Sequence, residues 1–122
     1  MDVLLVDDDA EIRLIAALVL GSAGHSVREA ASFEEARACI LHAVPDLVLM
    51  DVMLGDEDGV VAAVRLLEPL DARRPPLIFL TGAVRPEQTA RMMRAGAAGI
   101  VHKPFDPATL VARLTTILGE ET

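Results

Sequence analysis

The chain has no tryptophan and no tyrosine, and only three phenylalanines among its 122 residues. Leu, Val, Ile, Ala and Met must therefore fill its interior. A single cysteine, Cys39, excludes an internal disulfide and fits a reducing, cytoplasmic setting. Basic residues are scarce: 11 Lys and Arg against 19 Asp and Glu, a formal net charge of −8. That balance argues against direct nucleic-acid binding, which needs clustered Lys and Arg on phosphates. It does not favour an anionic membrane surface either. No apolar stretch reaches the ~18 residues of a membrane span; the longest, Leu14 to Leu20, reads as part of a helix. The first residues carry no basic start and no small-residue cleavage site, so no signal peptide is expected. His25, His42 and His102 are scattered without metal-ligand spacing.

What is present is a regular alternation of strand and helix patterns. The length suits a single domain over 1–122, and 52% hydrophobic residues suffice for a sizeable core. Strands are predicted at Val3 to Val6, Val27 to Ala30, Leu47 to Met50, Leu77 to Leu80 and Ile100 to His102. The second is polar and belongs at or near an edge. Helices are predicted from Ala10 to about Ala23, closed by Gly24, and from a Ser32 cap with Glu35 completing a capping box to about Ala43, before Pro45. A third opens at Asp58 or Gly59, a fourth has Pro86 in its first turn and ends near Gly96. A last helix is expected from an Asp106 cap with Pro107 in its first turn, ending at Gly119. Five strands and five helices in strict alternation imply an α/β domain with a parallel sheet covered on both faces.

Four of the strand patterns end on chemically active residues. Val3 to Val6 runs into Asp7-Asp8-Asp9, Leu47 to Met50 into Asp51, Leu77 to Leu80 into Thr81, and the last strand into Lys103. Ligands of open parallel sheets bind beyond the carboxyl ends of the strands. Carboxylates brought together there repel unless a cation intervenes. Mg²⁺ is a natural partner, since it takes oxygen ligands and bridges carboxylate to phosphate. A carboxylate, Mg²⁺, Lys103 and Thr81 together compose a phosphoryl-transfer site, in which a carboxylate attacks phosphorus to give an acyl phosphate.

These residues carry a resemblance that covers essentially the whole chain. The motifs V-D-D-D at 6–9, D-V-M-L-G-D-E-D-G at 51–59, L-T-G at 80–82 and K-P-F at 103–105, in this order and spacing, resemble the receiver domain of bacterial two-component response regulators. The resemblance implies a doubly wound, flavodoxin-like (βα)5 three-layer sandwich with strand order 2-1-3-4-5. It implies Asp51 as phosphoacceptor, and Asp7, Asp8, Asp51 and the backbone carbonyl of Met53 as Mg²⁺ ligands. Thr81 resembles the hydroxyl that turns toward the new phosphoryl group, and Lys103 the lysine that pairs with it. Asp9 falls where the family varies and is not expected to be a ligand. A cis bond between Lys103 and Pro104 is expected. The implied partners are a histidine kinase or histidine phosphotransfer protein, and a second copy or an output domain. The chain is then a signalling phosphoacceptor, catalysing only its own phosphorylation and dephosphorylation.

The chain also departs from the family's pattern. Gly55 stands where the family usually has proline, which predicts a looser and, with Asp56 and Glu57, more acidic loop. Ile100 replaces the usual aromatic switch residue and cannot swing a ring. Met53 and Ala83 occupy positions that in the family flank the hydrolytic water, and neither can orient it. The first helix is apolar nearly all round: Ile12, Ile15, Ala16 and Val19 form its inward stripe. Leu14 and Leu18 on another face are expected to meet a kinase, a phosphotransfer helix or a second receiver. Cys39 is expected to be buried on a face with Phe33, Ala36 and Ile40, Arg91 and Arg94 to be solvated, and Met92-Met93 to be core and rim. A Mg²⁺-dependent phosphohydrolase would want a second Asp at position 53. A nucleotide or flavin binder would not place three Asp after the first strand. A degenerate receiver, serving as a phosphorylation-independent docking module, is the alternative.

Overall fold

The computed structural model describes residues 1–82 and 85–119. In chain order the elements are β1 (Asp2–Val6), α1 (Ala10–Ser22), β2 (Ser26–Ala30), α2 (Phe33–His42), β3 (Leu47–Asp51), β4 (Met53–Leu54), β5 (Glu57–Asp58), α3 (Gly59–Leu67), β6 (Leu77–Thr81), α4 (Pro86–Arg94), β7 (Gly99–His102) and α5 (Leu110–Leu118). A 3-10 segment, Glu68–Arg73, follows α3. Five strands form one parallel sheet in the order β2-β1-β3-β6-β7. Counted without the small β4-β5 hairpin, this is the 2-1-3-4-5 order implied by the sequence. The fold is the expected flavodoxin-like three-layer sandwich.

The apolar runs become strands because both of their faces can be buried. Leu4, Val6, Val48, Met50, Leu77 and Phe79 point to one side, where Phe33, Ala36, Ile40, Ala63, Leu67 and Met92 of α2, α3 and α4 cover them. Val3, Leu5, Leu47, Leu49, Ile78 and Leu80 point to the other, against Ala16 and Leu20 of α1 and Leu110 and Leu114 of α5. The alternation follows from the two-residue period of a strand. β2 is an edge strand, as its polar residues suggest. The chain reverses direction across the sheet between β1 and β3, and that switch point is where Asp7 and Asp51 emerge. Among the described residues no helix is long and apolar enough to cross a membrane.

Several local expectations need correction. The last helix begins at Leu110, not just after Asp106. Asp106 caps a turn instead: its Oδ1 accepts from Ala108 N–H at 2.9 Å, and its carbonyl accepts from Thr109 N–H at 3.0 Å. A short Asp side chain often bonds the backbone two residues on and so builds a turn. The inward residues of α1 are Ala16 and Leu20, while Ile12, Ile15 and Val19 are only half-buried. Leu14 and Leu18 are 57% and 62% exposed. Cys39 is half-buried at the margin of the core rather than inside it. Around Gly55 the chain forms a short hairpin: Met53 and Leu54 pair with Asp58 and Glu57, and Gly55 takes φ 63 at the turn. Glycine is the residue that adopts such a φ without strain.

Candidate functional site

Asp7 and Asp51 each follow or end a buried central strand, and both are turned inward. Asp7 is fully buried and Asp51 nearly so. Each uses Oδ1 to accept a main-chain N–H two residues on: Asp7 from Asp9 at 2.9 Å, and Asp51 from Met53 at 2.9 Å. These local bonds fix the carboxylates and leave both Oδ2 atoms aimed at one cation. Lys103 Nζ lies 2.7 Å from Asp7 Oδ2 and 2.8 Å from Asp51 Oδ2. The lysine follows β7, its own N–H donates to the Thr81 carbonyl at 2.8 Å, and its bond to Pro104 is cis as expected.

Burial is the largest influence on Asp51 and raises its carboxyl above the ordinary 3.8; the hydrogen bonds from Lys103 and Met53 oppose it, and the neighbouring charge of Asp7 adds to it. Burial works to lower the Lys103 ammonium, but the hydrogen bonds to Asp51 and Asp7 outweigh it and hold Lys103 above 10.5. One cation thus serves two buried carboxylates and leaves Asp51 poorly compensated. Asp8 is exposed at the rim. One oxygen from each of Asp7, Asp8 and Asp51 lies within 4.8 Å of the others. Three hard oxygen donors at one solvent-reachable edge fit Mg²⁺ rather than a softer metal. Asp9 caps α1 instead: its Oδ1 accepts from Glu11 N–H at 2.9 Å and Ile12 N–H at 3.3 Å.

Thr81 is buried at the end of β6, and shares a cavity of about 290 Å³ with Asp51, Val52, Met53, Gly82 and Gln88. Met53 contributes its N–H to Asp51, while its side chain is 67% exposed. A larger cavity of about 390 Å³ lies between β7 and α5 around Phe105, Leu110 and Arg113. It gathers no set of carboxylates, and the chemistry is concentrated in the smaller one. Ala83, expected beside the path of a hydrolytic water, lies outside the described residues.

Four supporting residues were not visible as such in the sequence. Arg13 donates to the Asp7 carbonyl at 2.6 Å and so fixes the loop after β1. Gly59 packs against the chain at Asp51: a Cβ there would run into the Asp51 carbonyl oxygen and lie 2.7 Å from that of Val52. Arg91, expected to be solvated, is half-buried and pairs with Asp58 at 2.6 Å. Gln88 lines the same cavity as Asp51 and Thr81, and its amide oxygen is buried and has no hydrogen-bond partner among the described residues. Glycine at a helix start and arginine on an outer face carry ordinary signals of their own, which hid these roles.

Comparison with known proteins agrees with this architecture. The family model described as "response regulator receiver domain" matches residues 3–115. The phosphate regulon transcriptional regulatory protein PhoB of Pseudomonas aeruginosa is 37% identical over 95% of this chain and 51% of its own length. The protein of the same name from Escherichia coli is 32% identical over the same shares. The chain spans about half the length of these curated relatives. Among solved structures, the chemotaxis protein CheY4 of Vibrio cholerae superposes with a TM-score of 0.88 at 31% identity, covering 95% of this chain and 97% of that one. The chain belongs to the receiver domain family of two-component response regulators.

Proposed function

We propose that this receiver domain, spanning 1–122, takes a phosphoryl group onto Asp51 from a histidine kinase or a histidine phosphotransfer protein. The observation that carries the proposal is the convergence of Asp7, Asp51 and Lys103 at the carboxyl edge of the sheet, with bonds of 2.7 and 2.8 Å to one ammonium. An Asp51 carboxylate oxygen attacks phosphorus. A P–O bond forms, the bond from phosphorus to the donor imidazole breaks, and its electron pair returns to the ring. Lys103 moves from Asp51 toward the incoming phosphoryl oxygens while Asp7 retains it. The Thr81 hydroxyl turns to a second phosphoryl oxygen. Asp7, Asp8, Asp51 and the main-chain carbonyl of Met53 would hold Mg²⁺, whose role when bound is to neutralise charge on the transferring oxygens. The domain acts as a switch rather than as an enzyme on a separate substrate. It operates in the cytoplasm, with α1 and its exposed Leu14 and Leu18 meeting the donor, and a second copy or an output domain reading the change.

A second reading, a degenerate receiver that docks without phosphorylation, draws on Ile100. It is half-buried and packed at the edge of the core, and its branched side chain has no ring to exchange between buried and exposed positions. The two readings separate in one experiment. The protein is incubated with Mg²⁺ and acetyl phosphate, and its intact mass is compared with that of Asp51→Asn. Gain of one phosphoryl group by the parent chain alone supports Asp51 as acceptor. No gain, together with no measurable Mg²⁺ binding, selects the docking module.

A further inference from the structure

We infer that Arg13 is a positioning residue for the metal site: by holding the Asp7 carbonyl, it aims the Asp8 carboxylate at the cation. The inference rests on the reading of Asp7, Asp8 and Asp51 as Mg²⁺ ligands. Those three carboxylates are held very unequally. Every polar atom of Asp7 has a partner. Its N–H donates to the Ala30 carbonyl at 3.0 Å, and its carbonyl accepts from Arg13 Nη1 at 2.6 Å. Its Oδ1 accepts from Asp9 N–H at 2.9 Å, and its Oδ2 from Lys103 Nζ at 2.7 Å. Asp51 is tied by Met53 and Lys103. Asp8 is exposed, and among the described residues no hydrogen bond or ion pair fixes its carboxylate. Its direction is therefore set by its backbone.

Arg13 holds that backbone. β2 ends at Ala30, and a guanidinium from α1 takes over the pairing of the chain at the Asp7 carbonyl. The peptide unit is planar, so fixing the Asp7 carbonyl fixes the plane that leads into the Asp8 Cα. The local chain puts Arg13 in place for this. Asp9 caps α1, and its carbonyl accepts from Arg13 N–H at 3.1 Å. Arg13 Nε lies 3.4 Å from Glu29 Oε1 of β2, and the Arg13 side chain is only 18% exposed. The planar guanidinium is thus held from two directions, by Glu29 and by Asp7, and forms a rigid strut rather than a mobile surface charge.

The sign of the effect separates positioning from charge. Arg13 brings a positive charge beside Asp7. Were charge its only contribution, removing it would tighten Mg²⁺ binding. If it aims Asp8, removing it weakens Mg²⁺ binding. Loss of a group that orients a metal ligand costs about 10–100-fold in affinity.

The test measures the Mg²⁺ affinity of the whole chain by isothermal titration calorimetry. Beside it, phosphoryl uptake from acetyl phosphate is followed by intact mass across Mg²⁺ concentrations. Arg13→Met removes both donor and charge; Arg13→Lys keeps the charge and a donor but not the planar fork. Arg13→Met should weaken Mg²⁺ binding by about tenfold, the low end of that range. The Mg²⁺ concentration for half-maximal uptake should rise by the same factor. Uptake at saturating Mg²⁺ should stay within about twofold of the parent, because Asp51 and Lys103 are untouched. Arg13→Lys should fall between the parent and Arg13→Met, and it decides the matter if Arg13→Met fails to fold. Unchanged or tighter Mg²⁺ binding in the variants would overturn the inference. So would uptake that stays low at saturating Mg²⁺, the mark of a general distortion. Calorimetry needs no phosphoryl group, so it decides even in a chain that acetyl phosphate does not charge. A parent chain that binds no Mg²⁺ overturns the metal reading and this inference with it; a parent that binds Mg²⁺ no more tightly than the variants overturns this inference alone.

Discussion

Two acidic regions lie close together in this domain and behave in opposite ways. At the strand ends, Asp7 and Asp51 are buried and share one lysine, and burial raises the Asp51 carboxyl. In the hairpin that follows, Glu57 accepts from Phe33 N–H at 3.3 Å and Asp58 accepts from Val60 N–H at 2.9 Å while pairing with Arg91. For Asp58 the small burial works upward, but the Arg91 hydrogen bond and the α3 N–H groups outweigh it and lower its pKa. Both regions use the same residue type. In the hairpin Glu57 and Asp58 are engaged by the fold. At the strand ends the carboxylates exceed the cations supplied, and under the proposed function a metal would balance the surplus. Acidic composition alone therefore says little; the number of donors and cations facing each carboxylate decides its role.

The largest disruption of this contrast should come from Lys103→Met. It leaves two buried carboxylates facing each other, and breaking a buried pair in this way costs about 3 kcal/mol or more. Urea unfolding without metal should show that loss, and Mg²⁺ should restore part of it. Phosphoryl uptake from acetyl phosphate should fall by about 100-fold, since a fixed charge at the transferring oxygens is gone.

Gly59→Ala should come next. The added Cβ would meet the Asp51 and Val52 carbonyl oxygens, which are backbone and cannot rotate away. Overpacking of this kind costs about 1–3 kcal/mol. The variant should unfold at lower urea and should also charge more slowly, because the moving backbone carries Asp51.

The smallest effects sharpen the comparison most. Asp51 has a folded pKa above 3.8, so the folded chain holds this proton longer than the unfolded chain. Stability therefore falls as pH rises from 3.8 through the folded value, and the ionised carboxylate works against the fold at neutral pH. Asp58 has a folded pKa below 3.8, so its contribution is present above 3.8 and is lost as pH falls through the lowered value. At pH 7 without metal, Asp51→Asn should raise the urea midpoint. Asp58→Asn, which keeps a capping oxygen but loses the charge facing Arg91, should lower it slightly. Equal shifts in one direction would erase the distinction between the two regions.

Much of this was legible in the sequence because strand ends are legible. Apolar runs bounded by Asp, Thr and Lys mark both a strand and the residue beyond its carboxyl end, and the alternation of elements places those ends on one edge. The Ser32 cap and the Asp58 start of α3 were equally plain, since capping is a local hydrogen bond. Roles that depend on distant partners were not. Arg91 looks solvated until β5 brings Asp58 to it, and Gly59 looks like a helix start until the chain at Asp51 is seen packed against it. The start of α5 was misplaced because an Asp before a Pro supports a cap and a turn equally well, and only the fold around Phe105 and Leu110 selects the turn.

The central claim is that Asp51, rather than Asp7 or Asp8, receives the phosphoryl group. The most direct measurement is to charge the protein with acetyl phosphate and Mg²⁺, reduce the acyl phosphate with borohydride, and locate the resulting homoserine by peptide mass spectrometry. Homoserine is expected at position 51 alone. Homoserine at position 7 or 8, or none in a chain that has gained a phosphoryl group, would contradict it.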